Sequence, residues 1–104
     1  MSDLDDMRDA LRAFAEARNW PQFHDPKNLA MAVASEAGEL LAELRWLSSA
    51  ESAPEALSVD RREAIRLEMA DILIFLVRMA DVLDVDLAQA VNDKIAINEQ
   101  RFRS

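Results

Sequence analysis

The apolar positions near the start of the chain recur at helical spacing. Leu4, Met7, Leu11 and Phe14 make one stripe, which predicts a helix from about Ser2 to Arg18 with Ser2 as its N-cap. "NWPQFHD" interrupts the pattern, with Pro21 as punctuation. Asp25 followed by Pro26 suits a helix start, and the second helix is expected to reach about Leu47. The polar stretch "SSAESAPEALSV" carries Pro54 and reads as a loop over 48–59. Asp60 with Glu63 resembles a capping box, with Asp in place of Ser or Thr, and opens a third helix that runs to about Leu83. "DVD" gives a tight turn with Asp86 as cap, and a fourth helix is expected over about Leu87 to Phe102. No strand-like alternation competes. The pattern predicts one all-α domain of four helices over residues 1–104.

The third helix is not one-sided. From Met69 to Val77 it is apolar on nearly every face, the pattern of a helix buried all round. A monomer of 104 residues has few ways to surround such a helix, so a second copy of the chain is expected to cover part of it.

Within that apolar run stands Asp71. A carboxylate stripped of water costs several kcal/mol or more unless something compensates it. Glu68 precedes it by three residues, and the second helix carries Glu36 and Glu39 with the same spacing. Three residues turn a helix by about 300°, so each pair shares a face. Acids fill 20 of 104 positions, so such pairs also arise by chance; Asp3, Asp6 and Asp9 read as a solvated face. The inner pairs differ because apolar sequence surrounds them and because their positions match. Glu36 and Glu39 lie 11 and 8 residues before Leu47, and Glu68 and Asp71 lie 8 and 11 after Asp60. Both pairs are therefore expected roughly 12–17 Å from the loop.

Four converging carboxylates cannot all stay ionised unaided. Either some are protonated or a cation lies among them. Oxygen ligands alone favour a hard ion, Mg²⁺ or Mn²⁺; a di-iron bundle would want Glu-x-x-His pairs. The plain alternative is that Glu36, Glu39 and Glu68 are exposed helix acids paired with Arg or Lys. Gly38, the only glycine, costs about 1 kcal/mol mid-helix relative to Ala. It is either a tolerated defect, a close-packing point, or room for a ligand beside the acids.

Composition narrows the partners. The net charge of −8 and the lack of a basic stretch argue against a nucleic-acid polymer, and a triphosphate would have to arrive with its metal. There is no cysteine, which excludes disulfides, zinc-thiolate sites and a Cys nucleophile. "MSDLDDMRDA" is acidic where a signal peptide needs a basic start, and the longest strictly apolar run, Ile72 to Val77, is far too short for a bilayer. A cytoplasmic protein without membrane contact is expected.

The pattern E-x-x-E, a 28-residue gap, then E-x-x-D resembles the MazG-like all-α nucleoside triphosphate pyrophosphohydrolases. "FHDPKNLAMAVASEAGELLAELRW", "EMADILIFLVRMADVLDVDLAQAV" and "KIAINEQRF" look like the dCTP pyrophosphatase branch, and the likeness covers about residues 16 to 103. The resemblance implies a four-helix MazG-like bundle. It also implies a Mg²⁺-dependent, house-cleaning cleavage of a nucleoside triphosphate between the α and β phosphates. Assembly would be as homodimers or tetramers made of two dimers, with the core shared between chains. Glu36, Glu39, Glu68 and Asp71 would hold the metal, and Glu39 is the candidate to take the proton of the attacking water. Substrate contacts carried over are Trp20 and Trp46 for stacking, His24, Lys94 and Asn98, with Lys27 and Arg101 as weaker phosphate candidates. Each has an ordinary alternative: packing for the tryptophans, a surface or capping role for His24, a polar helix face for Lys94 and Asn98. Phe75 stands where the dCTP-specific relatives tend to have Tyr, which puts cytosine-deoxyribose selectivity in doubt. The alternatives to dCTP or a modified dNTP are dUTP or a broad range of NTPs, and, in a different class, a non-catalytic helical interaction module.

Overall fold

In the computed structural model, residues 2–103 are described, and their regular elements are all helical: α1 (Asp3–Ala17), a 3₁₀ turn (Pro21–Phe23), α2 (Pro26–Leu44), α3 (Val59–Leu83) and α4 (Leu87–Arg101), with no strand among them. The all-α expectation with four helices holds.

The helix ends are set by specific chemistry. Ser2 caps α1 in a capping box: its hydroxyl accepts from the Asp5 amide at 3.1 Å while the Asp5 carboxylate accepts from the Ser2 amide at 3.4 Å. Asp86 caps α4 by accepting from the Gln89 amide at 3.0 Å. The expected Asp60–Glu63 box does not form. α3 starts earlier, and the hydroxyl of Ser58 accepts from the Arg61 amide at 3.1 Å. Glu63 is instead gripped by Arg66, at 2.7 and 2.8 Å. Both α1 and α3 end in a left-handed residue, Asn19 (φ 60) and Asp84 (φ 55). The following amides, of Trp20 and Val85, reach back to Ala15 and Ala80, which completes a Schellman closure at each end.

α2 is three residues shorter than expected, stopping at Leu44. Arg61 donates to the carbonyl of Glu43 near this end and pairs with its carboxylate at 3.5 Å. The connecting segment is pinned. Ser48 and Glu51 exchange reciprocal bonds of 2.8 and 3.1 Å, and Arg62 donates to the Pro54 carbonyl at 2.9 Å.

The chain packs as two compact units, the first joining residues up to Pro26 with those from Val77 onward, the second spanning Lys27–Leu76. In the first, Ala15 and Val77 are buried; in the second, Leu29 is. The face of α1 that turns inward runs through Leu4, Leu11 and Ala15 rather than through Phe14, which is 47 % exposed. Phe14 packs its ring against Trp20, centroids 5.5 Å apart, under the Arg18 guanidinium. Along α3, Leu67, Met69, Ile74 and Leu76 stay exposed.

Candidate metal centre

Within Lys27–Leu76, α2 and α3 carry the acids. Glu36 comes from the middle of α2, and Glu68 and Asp71 come from one face of α3. One carboxylate oxygen of each lies within 4.8 Å of the other two, and all three side chains are half-buried. Glu68 Oε2 is shut off from solvent and has no hydrogen-bond partner. An acceptor in that state normally costs free energy, and the residue that carries it belongs to a cluster of carboxylates.

Electrostatics agree with the geometry. The Glu68 carboxyl is pushed above the usual carboxylate range, first by desolvation, then by the neighbouring Glu36 carboxyl, then by Asp71 and Glu39. Carboxylates this close repel one another, and a proton on one of them relieves the repulsion. A hard divalent cation would satisfy the same oxygens without that proton, and the all-oxygen donor set suits Mg²⁺ or Mn²⁺. The residues fit such an ion.

Glu39 is the fourth acid of the expected set, and it lies outside this group. It is exposed, although still close enough to raise the Glu68 carboxyl. The shortened α2 explains this. Counted from the observed helix ends, Glu36 is 8 residues from Leu44 and Glu68 is 9 from Val59, so these two are level. Glu39, 5 residues from Leu44, sits nearer the loop. Gly38, exposed on the same helix, has nothing within 4 Å of where a Cβ would stand.

The other candidate residues fall in both units. In the second, Lys27 is exposed in the first turn of α2. Trp46 is 83 % exposed after its end, with the Arg45 guanidinium 5.3 Å from its ring, and Phe75 is half-buried on α3. In the first, Lys94 and Asn98 sit one turn apart on α4, Arg101 is exposed at its end, and Trp20 lies 6.3 Å from His24, ring to ring.

His24 also meets residues that the sequence reading did not single out. Its Nδ1 accepts from Nε of Arg78 at 3.2 Å. Arg78 is buried and pairs with Asp81 at 3.0 Å, and Arg12 donates to both oxygens of Asp81, one bond at 2.9 Å. The Arg12 bond, with the added charge of Arg78, holds the Asp81 carboxyl below the usual carboxylate range. Burial, then the Arg78 charge, holds His24 below the usual histidine value. The available signal was Arg78 itself, a second charge inside apolar sequence.

No family model matches the chain. The chain is 42% identical over 99 residues to dCTP pyrophosphatase 1 from Rattus norvegicus, matching 95% of this chain and 58% of that protein. The protein of the same name from Homo sapiens is 40% identical over 99 residues, again 95% and 58%. The chain thus spans a little under three fifths of these curated relatives. The solved structure of a pyrophosphatase from Archaeoglobus fulgidus shares the fold with a TM-score of 0.90 at 33% identity, over 100% of this chain and 95% of that one. With identity at this level running the length of both chains of the structural match, and with the acids brought together on the same two helices that carry the motif, the chain belongs to the MazG-like all-α pyrophosphohydrolases.

Proposed function

We propose that the chain is a metal-dependent pyrophosphohydrolase that cleaves dCTP or a modified dNTP to the monophosphate and pyrophosphate, a house-cleaning activity of the cytoplasm carried by the whole chain as one domain. The observation that carries this reading is the cluster of Glu36, Glu68 and Asp71, in which Glu68 Oε2 is shielded and partnerless, in a chain related to dCTP pyrophosphatases.

Glu36, Glu68 and Asp71 hold Mg²⁺, or Mn²⁺ in its place. When bound, the ion neutralises phosphate charge, polarises the phosphoryl group and lowers the pKa of water. Glu39, exposed one turn along α2, takes the proton of the attacking water. Trp20 and Trp46 offer ring faces for the base, His24 a hydrogen bond, Lys94 a charge for phosphate, and Asn98 a polar contact to sugar or base. Lys27 and Arg101 add positive charge for the phosphates. The chain pairs with copies of itself, as a homodimer or a tetramer of two dimers. The support is the exposure of Leu67, Met69 and Leu83 on α3, at 50, 58 and 50 %.

Phe75 favours a second reading for the base, dUTP or a broader range of NTPs, since it lacks the hydroxyl a Tyr would offer. The test is incubation of each common, oxidised and methylated dNTP with Mg²⁺, scoring pyrophosphate. Release from dCTP or a modified dNTP is expected. No turnover of any nucleotide would leave a helical interaction module, and an Asp71→Asn variant at full rate would remove the metal assignment.

A further inference from the structure

His24 is the only histidine in the chain, and the atom it turns to Arg78 is Nδ1, 3.2 Å from Nε. A guanidinium only donates, so the nitrogen it meets must carry no hydrogen. A neutral imidazole so held has its proton on Nε2. The Nδ1–H form would set two donors face to face, and the doubly protonated form would add a repulsion between two cations.

Arg78 is not free to turn away. It is 5 % exposed, and a buried guanidinium is tolerable only with its charge compensated. Asp81, one turn along α3, supplies that charge through a 3.0 Å bond from Nη1 to Oδ2. Arg12 of α1 also holds Asp81, with Nε on Oδ2 at 2.9 Å and Nη2 on Oδ1. Asp81 is 12 % exposed, so both inner members of the line are largely dry. Of the charged groups around this line, Arg78 faces the imidazole, while Arg12 and Arg8 of α1 face Asp81. The ring of Trp20 is tilted 56° to the imidazole, with the centroids 6.3 Å apart. Every group in the line is satisfied in one arrangement, and that arrangement fixes the imidazole's tautomer.

We propose that Arg78, anchored by Asp81 and Arg12, is a positioning residue that presents His24 as a neutral Nε2–H donor to an oxygen of the bound nucleotide. The proposal rests on the nucleotide reading given above for its acceptor, but not for its tautomer. Burial and the Arg78 charge both disfavour the imidazolium, so the donor keeps one state through the neutral range.

A single histidine makes the test direct, because ¹⁵N-labelled imidazole gives one set of two-bond ¹H–¹⁵N signals. In the full wild-type chain, Nδ1 should resonate as an unprotonated, pyridine-type nitrogen and Nε2 as a protonated, pyrrole-type one. Adding Mg²⁺ with α,β-imido-dCTP, which cannot be cleaved at that bond, should move Nε2 and leave Nδ1 in place. In Arg78→Met both nitrogens should drift toward the averaged position of a free imidazole. The KM for dCTP should rise roughly three- to tenfold with kcat little changed, the loss of part of one neutral hydrogen bond. A wild-type Nδ1–H signature overturns the proposal, and this reading needs no variant to fold. So does an Nε2 signal that ignores the analogue while other resonances respond. A spectrum in which nothing responds overturns the nucleotide reading and the donor role with it, while the tautomer signature still decides whether Arg78 sets the proton.

Discussion

Replacing Glu68 by Gln should stabilise the metal-free protein and abolish most of its stabilisation by metal. The substitution keeps the shape of the side chain and removes the charge whose Oε2 is shielded and partnerless. The Glu68 carboxyl is raised above its usual value of 4.5, so between 4.5 and the raised value the folded chain binds more protons than the unfolded one. Stability therefore falls as pH rises through that window, and the penalty is complete once the pH is above it. Gln carries no such penalty. In EDTA at neutral pH the variant should melt above wild type, and the two should converge below pH 4.5, where the wild-type carboxyl is protonated in both states. Mg²⁺ reverses the order. At a hundredfold excess over Kd, an ion that binds only the folded state adds about 2.7 kcal/mol. In a chain of 104 residues that is roughly 10 °C or more. The variant, with two carboxylates where wild type has three, should gain only a small part of this. Thermal melts by circular dichroism, with EDTA and with saturating Mg²⁺, read both effects. A variant less stable than wild type in EDTA, or one that gains as much from Mg²⁺, would refute the reasoning.

Three other changes test separate parts of the structure. Gly38→Ala should raise stability by about 1 kcal/mol, since nothing lies within 4 Å of the added Cβ and helix propensity favours Ala; a lower melting temperature would show that a copy of the chain uses the space. Asp84→Gly should also stabilise, by about 1 kcal/mol, by relieving an L-residue at φ 55 and removing a negative charge from the C-terminal end of α3; an unchanged urea midpoint would contradict this. Asp81→Asn should cost about 3 kcal/mol at neutral pH by leaving Arg78 buried without its full counter-charge. Because the Asp81 carboxyl is held below its usual 3.8, its contribution is complete above that value and lost as pH falls through the lower, folded-state one. The urea midpoint of wild type should therefore drop more steeply in acid than that of the variant, and parallel curves would contradict the assignment.

What could be read from the sequence was local chemistry. Ser2 and Asp86 cap the helices they precede, and Pro26 opens α2, because each signal acts within one turn. Asp71 stood out as a charge in apolar sequence, and the i, i+3 spacing correctly put Glu68 beside it. Ser58 lost to Asp60 in the reading because both residues can cap, and only the pairing of Glu63 with Arg66 decides between them. The position of Glu39 depended on where α2 stops, a boundary fixed partly by Arg61, 18 residues away from the Glu43 carbonyl it holds. Arg78 was as odd a residue as Asp71, but its role rests on Arg12 and His24, which are 69 residues from Asp81 and 54 from Arg78 in sequence. The stripe on α1 misplaced Phe14 because an aromatic at helical spacing can pack against its own chain end as well as inward.

Joint binding of a divalent ion by Glu36, Glu68 and Asp71 is the central claim, and titration of the protein into Mn²⁺ followed by electron paramagnetic resonance tests it directly. Wild type should quench the signal of free Mn²⁺ to a definite stoichiometry, Mg²⁺ should restore it by competition, and Asp71→Asn should leave it nearly untouched. Equal quenching by wild type and Asp71→Asn, or none by wild type, would contradict the account.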